Sequence, residues 1–115
     1  MLILSAKQLI DLIKADLPIK AFPNKELLPA FLGKYPGISI STSTEIEIRS
    51  LFDNGETGGV TCEILPIGFD SKKAEQVLLC SITYLNIKKG EPHYAEITKY
   101  QIKRVKKLMR QNRFF

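Results

Sequence analysis

The segment that organises this chain, residues 92–115, reads PHYAEITKYQIKRVKKLMRQNRFF. Apolar side chains recur in it every three or four residues, which is the spacing of one face of an α-helix. Pro92 suits the first helical position, because the amide proton that proline lacks would have no partner there. The pattern predicts a long C-terminal helix. Its inward face is expected to consist of Tyr94, Ile97, Gln101, Ile102, Val105, Leu108 and Met109.

The same segment carries the excess positive charge of the protein. Seven of the 17 Lys and Arg residues lie between residues 99 and 113, with no Asp or Glu among them, so the net charge of +5 is concentrated there. Opposite the inward face, the helical spacing groups five cations: Lys99, Lys103, Lys106, Lys107 and Arg110. Such a face suits a phosphate backbone. A solvated helix face that only keeps a protein soluble has the same pattern, so both interpretations stay open.

The N-terminal region predicts a second helix over residues 6–17. Ser5 and Gln8 have the spacing of a capping box, in which each side chain pairs with the backbone amide of the other residue. Pro18 is expected to end the helix, since the residue before a proline is disfavoured in helical conformation. The predicted inward side chains recur at helical spacing: Leu9, Leu12, Ile13 and Leu17.

Residues 19–35 are predicted to be a connector without a long element, because prolines and a glycine interrupt them. Asn24 is placed to cap a short turn, and Gly33 is expected to end a second turn in the left-handed conformation. The apolar side chains of this connector are expected to cover one edge of the core: Leu27, Leu28, Phe31 and Leu32.

The middle of the chain changes to the period of two that is typical of strands. Residues 38–52 predict one long strand with a wet face and a bend near residues 41–44. Its other face, expected to point inward, includes Ile46, Ile48 and Phe52. Residues 53–59 predict a hairpin turn. The return strand over residues 60–66 would place Val60, Cys62 and Ile64 inward. Residues 76–87 are apolar on both faces, which predicts a strand in the centre of the sheet or under a helix on each side.

These elements predict an α+β fold in one domain, residues 1–115. A mainly antiparallel sheet of three to four strands would pack against the N-terminal helix and the long basic C-terminal helix. A length of 115 residues fits one core of this kind.

Several chemistries are not expected. Glu45, Glu47 and Glu63 share one strand face, where two carboxyl groups could act as acid and base. Exposed strands often carry Glu without such a role, so we expect no enzyme activity and no cofactor. With one His and two Cys, a metal site is not expected either. Cys62 and Cys80 are expected to be buried thiols, with a disulfide between them left open as an alternative. We expect no leader peptide, because the apolar start of the sequence is only four residues long, and no bilayer-spanning segment, which favours a cytoplasmic protein.

Two functional hypotheses follow. The first is a nucleic-acid-binding accessory protein that contacts DNA or RNA through the five cations of the C-terminal helix. The second is a protein-interaction module or homodimer that uses the sheet edge and the terminal pair Phe114 and Phe115, because two large aromatic side chains are costly to expose.

Overall fold

A curled antiparallel sheet of five strands forms the framework of the computed structural model, which describes residues 4–34, 39–55, 59–66 and 77–112. The strands are β1 (Ile19–Pro23), β2 (Ile46–Asp53), β3 (Val60–Pro66), β4 (Leu78–Ser81) and β5 (Leu85–Ile87), in the spatial order β4-β3-β2-β1-β5. The helices are α1 (Ala6–Ile13), α2 (Leu28–Lys34) and α3 (Tyr94–Asn112). The predicted α+β fold with an antiparallel sheet is confirmed, and the sheet has one strand more than the largest number expected.

Helix α1 begins with the predicted capping box. The Gln8 amide donates to Ser5 Oγ at 3.2 Å, and the Ser5 amide donates to Gln8 Oε1 at 2.9 Å. The helix is shorter than predicted. It ends at Ile13, and a single 3₁₀ turn, Lys14–Asp16, follows it. Leu17 is extended, and its peptide bond to Pro18 is cis.

Strand β1 was not predicted. It lies inside the supposed connector and pairs with both β2 and β5, so it occupies an interior position of the sheet. Its inward residues Ile19 and Ala21 are completely buried. Prolines at the ends of a short strand remove few ladder hydrogen bonds. Pro18 precedes β1, and Pro23 is its last residue, in register with Leu85.

The rest of the connector forms a 3₁₀ turn, Lys25–Leu27, followed by α2. The predicted cap is present, since the Leu27 amide donates to Asn24 Oδ1 at 3.1 Å. The expected left-handed end at Gly33 is wrong, because this glycine lies within α2 and has no positive φ. Leu27 and Phe31 are buried in the core, whereas Leu32 is exposed.

Strand β2 is about half as long as predicted. Residues 41–44 form the expected bend, in which the Thr44 amide donates to the Ser41 carbonyl at 3.0 Å. Within β2, Ile48 pairs with Ile64 and Ser50 pairs with Glu63, which leaves a bulge at Arg49. An extra residue reverses the alternation of side chains. Phe52, predicted to point inward, is therefore 47% exposed.

The hairpin between β2 and β3 and the inward face of β3 agree with the sequence. Asp53 pairs with Val60, and the Asn54 amide donates to the Gly59 carbonyl at 2.8 Å. The predicted inward residues of β3 are buried: Val60, Cys62 and Ile64. Residues 56–58 of the predicted turn lie outside the described ranges.

The predicted central strand over residues 76–87 is wrong. This stretch contains two edge strands, β4 beside β3 and β5 beside β1, joined by the 3₁₀ turn Ile82–Tyr84. Ser81 starts this turn, because its Oγ accepts a hydrogen bond from the Thr83 amide, which competes with strand pairing. A three-residue link between opposite edges requires a strongly curled sheet.

Helix α3 packs on the core through its first two turns. It begins at Tyr94, not at Pro92, after His93 in the left-handed conformation with φ of 64°. Ile97 and Tyr100 are buried, although Tyr100 was not among the predicted inward residues. The Gln101 amide group donates to the carbonyls of Ile82 at 2.7 Å and Leu85 at 2.6 Å.

The second half of α3 departs from the prediction. Three side chains that were predicted to face inward are exposed: Ile102 by 57%, Val105 by 40% and Met109 by 64%. The helix thus leaves the core soon after Gln101, and the apolar side of its basic half is largely solvated, with Leu108 half-buried. Residues 113–115, which include the predicted partner-binding pair Phe114 and Phe115, lie outside the described ranges.

Candidate nucleic-acid interface

The five predicted cations of α3 border one surface depression of about 560 Å³. Together with Ile102 they form what we call the α3 surface: Lys99, Ile102, Lys103, Lys106, Lys107 and Arg110. All of these except the half-buried Lys99 are exposed. The helical spacing read from the sequence therefore brings the predicted residues together on one surface.

Charge on this surface is weakly neutralised. Elsewhere in the described ranges some basic side chains have acidic partners, as when Lys20 and Lys88 lie 3.6 Å and 3.3 Å from carboxylate oxygens of Glu45. In the same ranges no carboxylate lies within ion-pair distance of Lys103, Lys106, Lys107 or Arg110. Like charges at helical spacing repel one another, and a bound polyanion would relieve that repulsion.

A second depression, of about 400 Å³, adjoins the α3 surface. We call it the hairpin groove, because it lies between the start of α1, the β2–β3 hairpin and α3. Its lining residues are Leu4, Ser5, Ala6, Lys7, Asp53, Gly55, Tyr100, Lys103, Arg104 and Lys107. Lys103 and Lys107 border both depressions, so the two form one continuous basic region.

Two cations of the hairpin groove were missing from the predicted site. Arg104 lies in the basic segment of α3 but beside the predicted face. It lines the hairpin groove because the β2–β3 hairpin packs against its side chain. Lys7 belongs to α1, almost a hundred residues earlier in the chain. No local pattern signals that α1 and α3 meet, so sequence reasoning had no means of finding Lys7.

Tyr100 anchors α3 beside the hairpin. Burial raises the pKa of its hydroxyl above the ordinary value, while the Arg104 charge and a hydrogen bond with the backbone of Val60 act in the opposite direction. The hydroxyl therefore stays protonated and uncharged at neutral pH. On the opposite wall, the Asp53 carboxylate accepts a hydrogen bond from the Gly55 amide at 2.9 Å.

The three glutamates that share a strand face are engaged in separate pairs. Glu45 pairs with Lys20 and Lys88, and Glu47 lies 3.4 Å from Arg49. Glu63 accepts a hydrogen bond from Ser50. Across the described stretches, no three His, Cys, Asp or Glu side chains form a group that could hold a metal ion.

The two cysteines lie directly opposite each other on β3 and β4 and are free thiols. Burial raises the pKa of Cys80 to about 12 and raises that of Cys62 well above its ordinary value, with Cys80 adding to the effect on Cys62. Neither thiol lines the basic region, so they are core side chains.

The sequence matches no protein-family model, and comparisons with curated proteins and with solved structures found no significant match. Among the helices that the structure describes, none has the length and apolar character needed to cross a membrane. The assignment of a function therefore depends on the residues of the basic region.

Proposed function

We propose that this protein is a non-catalytic nucleic-acid-binding accessory protein of the cytoplasm. The observation that supports the proposal is the α3 surface, where four exposed cations border one depression and have no acidic partner among the described residues: Lys103, Lys106, Lys107 and Arg110. DNA and RNA present closely spaced phosphates, and binding cations there releases condensed counterions, which supplies much of the affinity.

The position of these cations on the helix favours an extended partner. Lys99, Lys103, Lys106 and Arg110 are separated by three or four residues, so successive charges lie about 5 to 6 Å apart along the helix axis. This is comparable with the distance between neighbouring phosphates of a nucleic-acid strand. Ile102 lies among the cations and offers an apolar contact for sugar or base edges.

Charge reversal tests the proposal. Binding of fluorescently labelled single-stranded and duplex oligonucleotides would be measured by anisotropy for the native protein and for the double variant Lys106→Glu, Arg110→Glu. We expect at least about tenfold weaker binding for the variant, because two phosphate contacts become repulsive. The matched control is Lys25→Glu, Lys89→Glu, which changes the net charge equally at exposed residues outside both depressions.

The control should bind within about twofold of the native protein, because the lower net charge by itself weakens binding only slightly. Equal loss in both variants would show only a non-specific charge effect and would contradict the proposal. Absence of binding by the native protein at low salt would also contradict it.

A protein-interaction module or homodimer is the second candidate. The exposed side chains Ile102, Val105 and Met109 recur at helical spacing along α3, which gives an apolar stripe beside the cations. The edge strands β4 and β5 have only four and three residues, so the helix offers the longer contact. Light scattering should show that the native protein is a dimer. The double variant Ile102→Ser, Met109→Ser should be a monomer, and so should the protein without Phe114 and Phe115. A monomeric native protein that captures no partner would remove this candidate.

A further inference from the structure

The hairpin groove has the dimensions of a small-ligand site. Its volume of about 400 Å³ is within the range of protein sites that hold nucleotide-sized molecules. Three elements contribute to its walls: the start of α1, the β2–β3 hairpin and α3. A helix that simply presents a solvated basic face would not require such a groove beside it.

Charge in the groove is strongly unbalanced. Three lysines, Lys7, Lys103 and Lys107, line it beside Arg104, and among the described residues of its lining the one carboxylate is that of Asp53. The first turn of α1 contains no acidic residue, so the partial positive charge of that helix end adds to the cations. Three lysine ammonium groups beside one described carboxylate favour an anion that carries more than one charge.

We propose that the hairpin groove binds a phosphate monoester. Such a group carries a charge of about −1.5 to −2 at neutral pH and offers three acceptor oxygens, whereas a phosphodiester within a strand carries a single charge. The ligand is either the terminal phosphate of a nucleic-acid strand or a free nucleotide. If the ligand is a strand end, this inference rests on the proposed function, because Lys103 and Lys107 border both the groove and the α3 surface.

Two oligonucleotides of identical sequence provide the first arm of the test, one with a 5′-phosphate and one with a 5′-hydroxyl. We expect the phosphorylated strand to bind at least about fivefold more tightly, through one added charge-assisted contact. Lys7→Gln should abolish this preference, because Lys7 borders only the groove. The matched variant Lys106→Gln, on the α3 surface alone, should weaken both strands and keep the preference.

Adenosine 5′-monophosphate and adenosine provide the second arm. NMR shifts of the backbone amides of Lys7 and Gly55 should respond to the nucleotide but not to the nucleoside. A response in the strand arm alone identifies a strand end, and a response in the nucleotide arm alone identifies a free nucleotide; each supports the site.

Equal affinities of the two strands together with no nucleotide response would overturn the inference. A phosphate preference that survives Lys7→Gln would also overturn it, since the phosphate would then be bound elsewhere. Should neither strand bind at low salt, the proposed function fails, and the nucleotide arm decides the groove independently.

Discussion

The side chain of Arg104 lies against Gly59, so closely that a Cβ atom at residue 59 would be 3.0 Å from Arg104 Nε and 3.2 Å from the Tyr100 hydroxyl oxygen. Gly59 also has φ of +63°, a conformation that L-residues with side chains seldom adopt. One residue thus allows the hairpin to turn and allows α3 to approach it. The contact fixes Arg104 in the wall of the hairpin groove.

Gly59→Ala should destabilise the fold more than an equivalent change in open space. The left-handed conformation alone costs about 1 to 2 kcal/mol for a side-chain-bearing residue. The added Cβ would also press on the Arg104 and Tyr100 side chains, which would have to shift, and we expect this to add to the cost. The control is Gly55→Ala, which has φ of +74° but no atoms within 4 Å of the added Cβ. Urea denaturation measures both variants, and equal losses of stability would show that the contact with α3 contributes nothing.

Gln101 should be important for attaching α3 to the sheet. Its amide group satisfies the carbonyls of Ile82 and Leu85, at the turn that joins the two edge strands. Gln101→Leu leaves both carbonyls without this donor, and we expect a loss of about 1 to 3 kcal/mol in the free energy of unfolding. Gln101→Glu should be at least as harmful at neutral pH, because a carboxylate then faces two carbonyl oxygens.

Thermal or urea denaturation tests this role, with Lys103→Leu as the control for an apolar substitution at an exposed position of the same helix. The control should change stability by less than about 0.5 kcal/mol. A Gln101→Leu variant as stable as the control would contradict the role assigned to Gln101.

The cysteine thiols should be almost unreactive in the folded protein. With the pKa of Cys80 at about 12 against an ordinary value of 9.0, its thiolate fraction at pH 8 falls by about a thousandfold. Reaction with a thiol reagent at pH 8 should therefore be slow in the folded state and fast in urea. Rapid modification of both thiols without denaturant would contradict their burial beneath the sheet.

Local patterns in the sequence predicted the parts of the fold that depend on neighbours in the chain. The Ser5–Gln8 capping box, the Asn24 cap and the inward face of β3 all follow from short-range spacing. The grouping of cations on α3 follows from helical periodicity in the same way. Each of these features needs no knowledge of what packs against it.

The features that depend on tertiary contacts could not be predicted in this way. β1 is a short strand beside prolines, and its central place comes from pairing with two distant strands. The bulge at Arg49 reverses the face of Phe52 without a signal in the alternation. The exposure of Ile102 and Met109 depends on how far α3 extends beyond the core, and Lys7 joins the site only through the packing of α1 near α3.

The salt dependence of nucleic-acid binding tests the central claim most directly. The logarithm of the binding constant for a duplex should fall against the logarithm of salt concentration with a slope of about −4, as expected when four or five phosphates are neutralised. Lys106→Gln with Arg110→Gln should reduce the steepness by nearly 2, at about 0.9 for each cation. A native slope near zero, or a slope that these substitutions leave unchanged, would contradict a phosphate-binding role for the α3 surface.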